Sequence, residues 1–126
     1  MTDDTIVFQY TRADALADGV LVDLSTDKYP ETRATFGWDN VACTEAVFHA
    51  LLEPNPRQRC RAMLMTLAFH LLTGRDSRER DASELTFNIL RSEQRFALPD
   101  DLKLKAVCHP GDHGEACLTI MLPEED

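Results

Sequence analysis

The chain has 126 residues, 44% of them hydrophobic, and a formal net charge of −9 at pH 7. That length fits a single domain, 1–126, able to bury roughly two-thirds of its unfolded surface without a disulfide or metal staple. The most apolar run, Ala62 to Leu72, is interrupted by His70, and it is too short for the ~20 residues that cross a bilayer.

The opening MTDDTIVFQY has neither a basic start nor an apolar core, so it does not read as a secretory signal and the expected location is the cytoplasm. Cys43, Cys60, Cys108 and Cys117 form no CxxC pair and are expected to be reduced and mostly buried. Charge is unevenly distributed. Residues 1–40 hold eight acids against three bases, a balance of −5, and residues 97–126 hold seven against two, again −5. Residues 41–75 carry +2. Acidic ends repel phosphates, which argues against direct nucleic-acid binding and favours a basic protein partner.

In chain order, Ile6 to Tyr10 reads as an edge strand. Thr11 caps a helix over Arg12–Asp18, with Asp14 at its third position and Gly19 as the stop. In that reading Tyr10 packs as a staple and Arg12 pairs with Asp14 or Asp18. Val20 to Leu24 is a short extended run. Thr26 or Asp27 caps a further short helix with Pro30 in its first turn, ending near Gly37. Thr44 opens a helix of about ten residues that Pro54 stops.

Asn55 and Pro56 start the longest helix, which runs to Thr73 with Gly74 closing it. Cys60, Met63, Leu64, Leu67, Ala68 and Leu71 share one face; Met65, Phe69 and Leu72 add a second apolar stripe, so this helix is expected at the centre of the fold. The charged segment Arg75 to Glu84 reads as an exposed loop. Three alternating strands follow, around Leu85–Ile89, Leu102–Cys108 and Ala116–Leu122. HPGDHGE joins the last two as a hairpin. Helices first and strands after gives an α+β fold: several short helices and one long central helix on a small antiparallel sheet.

Two segments, YTRADALADGVLVDLS (Tyr10 to Ser25) and Leu104 to Asp126, with the core VCHPGDHGEACLTIMLPEED, resemble a family of small uncharacterised proteins of phages, plasmids and other mobile elements, a domain of unknown function. The resemblance implies an accessory protein of a mobile element and supplies no catalytic residues. The family pattern has Gly at the position of His109 and Asp at that of His113, which implies no shared role for these histidines.

Five features are candidates for function. Tyr10, Thr11, Arg12 and Asp14 form either a recognition patch or a plain helix cap. Cys108, His109, His113 and Cys117 are all zinc-ligand types, but their spacing is not a usual one, so no metal and no cofactor is expected. Asp100, Asp101, Asp112, Glu115, Glu124, Glu125 and Asp126 sit where solvated acids normally lie; a hydrolase would need Asp112, Glu115 and His113 to converge. Arg57, Arg59 and Arg61, with Arg75, Arg78 and Arg80, form a basic set; those in the first turn of the helix oppose its dipole and call for an acidic counterpart, within the chain or on a partner. His49 and His70 read as ordinary partly buried histidines.

The fifth feature is the acidic surface itself. Rigidly held carboxylates compete for the Lys and Arg that grip phosphates. The leading expectation is therefore a non-enzymatic inhibitor of a host defence complex, of restriction or CRISPR-effector type. It would act as a monomer or weak dimer, binding the basic surface of a protein or ribonucleoprotein through Asp14, Asp18, Asp112, Glu115, Glu124 and Glu125. The alternatives are a mobile-element adaptor that binds a protein without mimicking DNA, and a small hydrolase.

Overall fold

A computed structural model describes residues 10–73, 84–90, 96, 98 and 100–125. The first helix, α1, spans Arg12–Asp18 and shows why this stretch is helical. Thr11 accepts the amide of Asp14 at 3.0 Å while Asp14 accepts that of Thr11 at 3.1 Å, a reciprocal capping box. Gly19 ends the helix at φ 81°, a left-handed conformation that suits a residue without Cβ. The chain then forms β1 (Leu21–Asp23), a single helical turn α2 (Glu31–Ala34) and β2 (Val41–Thr44). Thr44 caps α3 (Glu45–Val47), which continues as a π-helical turn over Phe48–Leu52. The long helix α4 covers Pro56–Thr73, followed by β3 (Glu84–Ile89), β4 (Leu102–Pro110) and β5 (Ala116–Met121).

The α+β fold expected from the sequence is present, with a larger and different sheet. Five strands lie in the order β1-β2-β5-β4-β3. All neighbours are antiparallel except β2 and β5, which run parallel with Ala42 opposite Thr119 and Cys43 opposite Ile120. The sheet is therefore mixed. Strand β2 carries no alternation because all four of its residues are buried, and a strand covered on both faces reads as a continuous apolar run. The helix expected from Thr26 or Asp27 begins later, after Pro30, and has no side-chain cap. The expected strand at Ile6–Tyr10 falls on residues 6–9, outside the described residues, as do the 75–83 part of the charged loop and the Gly74 stop.

One face of the sheet carries the core. Phe87 and Ile89 from β3, Leu104 and Ala106 from β4, Ile120 from β5, and Val41 and Cys43 from β2 pack with Cys60, Met63, Leu64 and Leu67 of α4 and with Leu51 and Leu52. The expected second stripe of α4 is not part of it. Phe69 is 64% exposed, Leu72 86% and Met65 42%, so α4 lies across the sheet as an outer layer and not as a helix surrounded on all sides. Burial pushes the thiols of Cys43 and Cys60 up to about 12 each, so both stay protonated in the core. Among the described residues, no helix is long and apolar enough to cross a membrane.

Two arginines near the start of α4 find partners within the chain. Arg57 pairs with Glu31 of α2 at 3.0 Å, and Arg59 donates to the carbonyl of Leu51 at 2.9 Å. The unfavourable dipole position is thus offset by a carboxylate and by a carbonyl of the preceding helical turn. Arg75, Arg78 and Arg80 lie outside the described residues.

Candidate functional site

The opposite face of the sheet holds the site. Residues of β4 and β5 that alternate away from the core, including His109, Cys117, Thr119 and Met121, point to this side, and α1 lies over it. Between them is a cleft of ≈ 580 Å³. Its lining comes from residues 10–21 and 109–125, with Thr44 of β2 as the one exception. The two segments singled out in the sequence, far apart in the chain, therefore meet at one cleft.

Arg12 is half-buried on the cleft floor. Its Nη1 donates to Thr119 Oγ1 at 2.9 Å and lies 3.3 Å from His109 Nε2. The network assigns the histidine tautomer. His109 Nδ1 donates to the Pro110 carbonyl at 3.1 Å, leaving Nε2 to accept from the buried Thr119 hydroxyl at 2.7 Å. Thr119 can then donate to His109 while accepting from Arg12. The expected pairing of Arg12 with Asp14 or Asp18 is not formed, because the side chain turns inward across the sheet. Tyr10 does not act as a buried staple either: it is 61% exposed and its hydroxyl donates to Asp18 at 2.8 Å.

Asp112, in the β4–β5 turn, accepts the amides of Arg12 and Ala13 at 3.0 Å each. It thereby ties the turn to the first turn of α1, 100 residues away in sequence. These amide donors hold its carboxyl below the ordinary aspartate value of 3.8. Glu115 is likewise held below 4.5, by its own amide and by that of His113, which donates to it at 2.9 Å. A Cβ at Gly111 would run into the Glu115 carboxylate and come within 2.8 Å of Cys117 Sγ, so a larger residue there would displace those side chains. Glu125 is half-buried. Its Oε1 accepts from the Thr44 hydroxyl and from the Leu122 amide, each at 2.8 Å. Glu124 is exposed.

Asp14, Asp18, Asp112 and Glu115 thus share one end of the molecule, on α1 and the turn that α1 rests against. No ion pair among the described residues involves any of them, or Glu124 or Glu125; those formed are Arg33–Asp39, Arg57–Glu31, Lys105–Glu84 and His49–Glu53. The hydrolase set Asp112, Glu115 and His113 lies within one turn, with both carboxylates engaged by backbone amides. Cys108 is exposed and Cys117 buried, and His109 is the cross-strand neighbour of Cys117. Among the described residues, no three His, Cys, Asp or Glu groups converge as a metal would require. Asp100 and Asp101 are exposed before β4, and Asp126 lies outside the described residues.

The role of Thr119, and that of Thr44 beyond capping α3, is not announced by the local sequence pattern. The available signal was a hydroxyl within an otherwise apolar buried strand, which must find a partner. No family model, curated protein or solved structure matches this chain.

Proposed function

We propose that this chain is a non-enzymatic interaction protein that binds the basic surface of a nucleic-acid-handling complex through the acidic end formed by α1 and the β4–β5 turn. The observation that carries the reading is the state of the acids there. Asp14, Asp18, Asp112 and Glu115 are fixed in position by hydrogen bonds to neutral donors and have no cationic partner among the described residues. Carboxylates held in this way offer a rigid array to Lys and Arg side chains that otherwise grip phosphates. Together with the resemblance to phage- and plasmid-borne proteins, this favours a host defence complex of restriction or CRISPR-effector type as the partner.

The adaptor reading is favoured by a different observation, the exposed stripe of Met65, Phe69 and Leu72 on α4, since contiguous exposed apolar surface marks interaction sites. The two separate by salt. An acidic decoy captures its partner from bacterial lysate at low salt, releases it at high salt, and prevents it from binding DNA. If capture survives 1 M salt, where the Debye length is about 3 Å, and Phe69→Ser abolishes it, the decoy reading fails and the adaptor replaces it.

A further inference from the structure

The cleft between α1 and the sheet contains two opposite charges that do not meet each other. Arg12 spends Nη1 on Thr119 and His109, both neutral partners, while its Nη2 and Nε make no hydrogen bond to the described residues. Glu125 spends Oε1 on Thr44 and Leu122, while its Oε2 makes none. Both side chains are half-buried and line the same cleft, yet no ion pair joins them within 4.0 Å. An arginine and a glutamate drawn partly out of water, with no ion pair between them, are each left with donor or acceptor capacity unspent among the described residues. Beside them the wall is apolar, formed by Ala15, Val20, Leu21 and Met121.

From this geometry we infer that the cleft is a binding site for a small zwitterion, an apolar α-amino acid. The carboxylate seats on the free edge of the Arg12 guanidinium, whose planar fork suits it. The ammonium is held by Glu125, with Asp112 at the rim adding favourable field, and the side chain lies on Val20, Leu21 and Met121. The ≈ 580 Å³ of the cleft falls within the usual range of small-molecule sites, about 300–1,000 Å³. An anion alone would face the Glu125 and Asp112 carboxylates uncompensated, and a cation alone would face Arg12. Only a ligand carrying both charges satisfies both groups. The site shares Asp112 with the acidic docking surface but is centred on Arg12 and Glu125, which the docking surface formed by α1 and the β4–β5 turn does not use.

The test is a titration of the full chain followed by amide NMR, using leucine, methionine and phenylalanine, with 4-methylpentanoate and 3-methylbutylamine as analogues of leucine lacking one charge. At least one amino acid is expected to shift the amides of Arg12, Thr119 and Glu125, and each analogue to bind at least about tenfold more weakly, as expected when a hydrogen bond to a charged group is lost. Arg12→Gln and Glu125→Gln should each weaken binding by a similar factor, with unchanged amide positions in β3 and α4 as the check on folding. The comparison of ligands on the unaltered chain stands even if a variant fails to fold. The proposal is overturned if an analogue binds as tightly as its amino acid, or if none of the three amino acids perturbs these amides at tens of millimolar.

Discussion

Leu67 and Leu72 lie five residues apart on the same helix, and their fates should differ sharply. Leu67 is fully buried against the sheet, whereas Leu72 is 86% exposed. Leu67→Ala removes the equivalent of about three methylenes; at ~0.8 kcal/mol each this costs about 2.4 kcal/mol before any cavity is counted. The site belongs to a core cluster that includes Met63 and Leu64 of its own helix and strand residues such as Phe87 and Leu104. These are held by sheet pairing, so collapse is restricted and the cost rises toward ~5 kcal/mol. Leu72→Ala should stay within about 0.5 kcal/mol, as exposed substitutions do. Urea denaturation of both variants, with slopes compared so that only midpoint shifts count, measures the difference. If the two cost the same within about half a kcal/mol, the assignment of the buried face of α4 is wrong.

Gly19→Ala should destabilise by about 1–2 kcal/mol, because φ 81° is a left-handed conformation with open space around it, so the penalty is one of backbone alone; thermal unfolding measures it. Asp112 and Glu115 have folded values depressed below 3.8 and 4.5. Their stabilisation is therefore complete above those values and lost as pH falls through the depressed ones. Acid titration of the α1 amides should show α1 loosening in that window, and Asp112→Asn should weaken this dependence; identical acid profiles would contradict the cap. Thiol titration with a disulfide reagent at pH 8 should find Cys108 reacting first, since it alone of the four is exposed, and Cys43 and Cys60 reacting only on unfolding. Rapid reaction of Cys43 would refute its burial.

Local rules carried the parts of the fold that local chemistry decides. The Thr11 cap, the Asp14 side of the box and the Gly19 stop were legible because each is set within a few residues. So were α4 and the strands that became β3, β4 and β5, where the period changes from helical to alternating. What escaped was non-local. Strand β2 is buried on both sides, so it lacks the alternation that announces a half-buried strand, and its parallel partner β5 is more than 70 residues away. The same holds at the site. Arg12 looked like a local partner for Asp14 or Asp18, because nothing in residues 10–25 reveals that the side chain reaches Thr119. Asp112 looked like a solvated turn residue, although it caps α1. That residues 10–21 and 109–125 line a single cleft was not visible in the sequence.

The central claim is that the acidic end meets its partner by electrostatics, and charge reversal tests it most directly where no cap is disturbed. Asp18, whose one hydrogen-bond partner among the described residues outside its own helix backbone is the Tyr10 hydroxyl, and Glu124, exposed in the last turn, meet that condition. The measurement is the association rate of wild type and of Asp18→Lys/Glu124→Lys with the complex captured from lysate, across a salt series. The account predicts that the wild-type rate falls steeply with salt, and that the double variant associates more slowly at low salt with little change in dissociation. Equal association rates for both proteins, unaffected by salt, would contradict it.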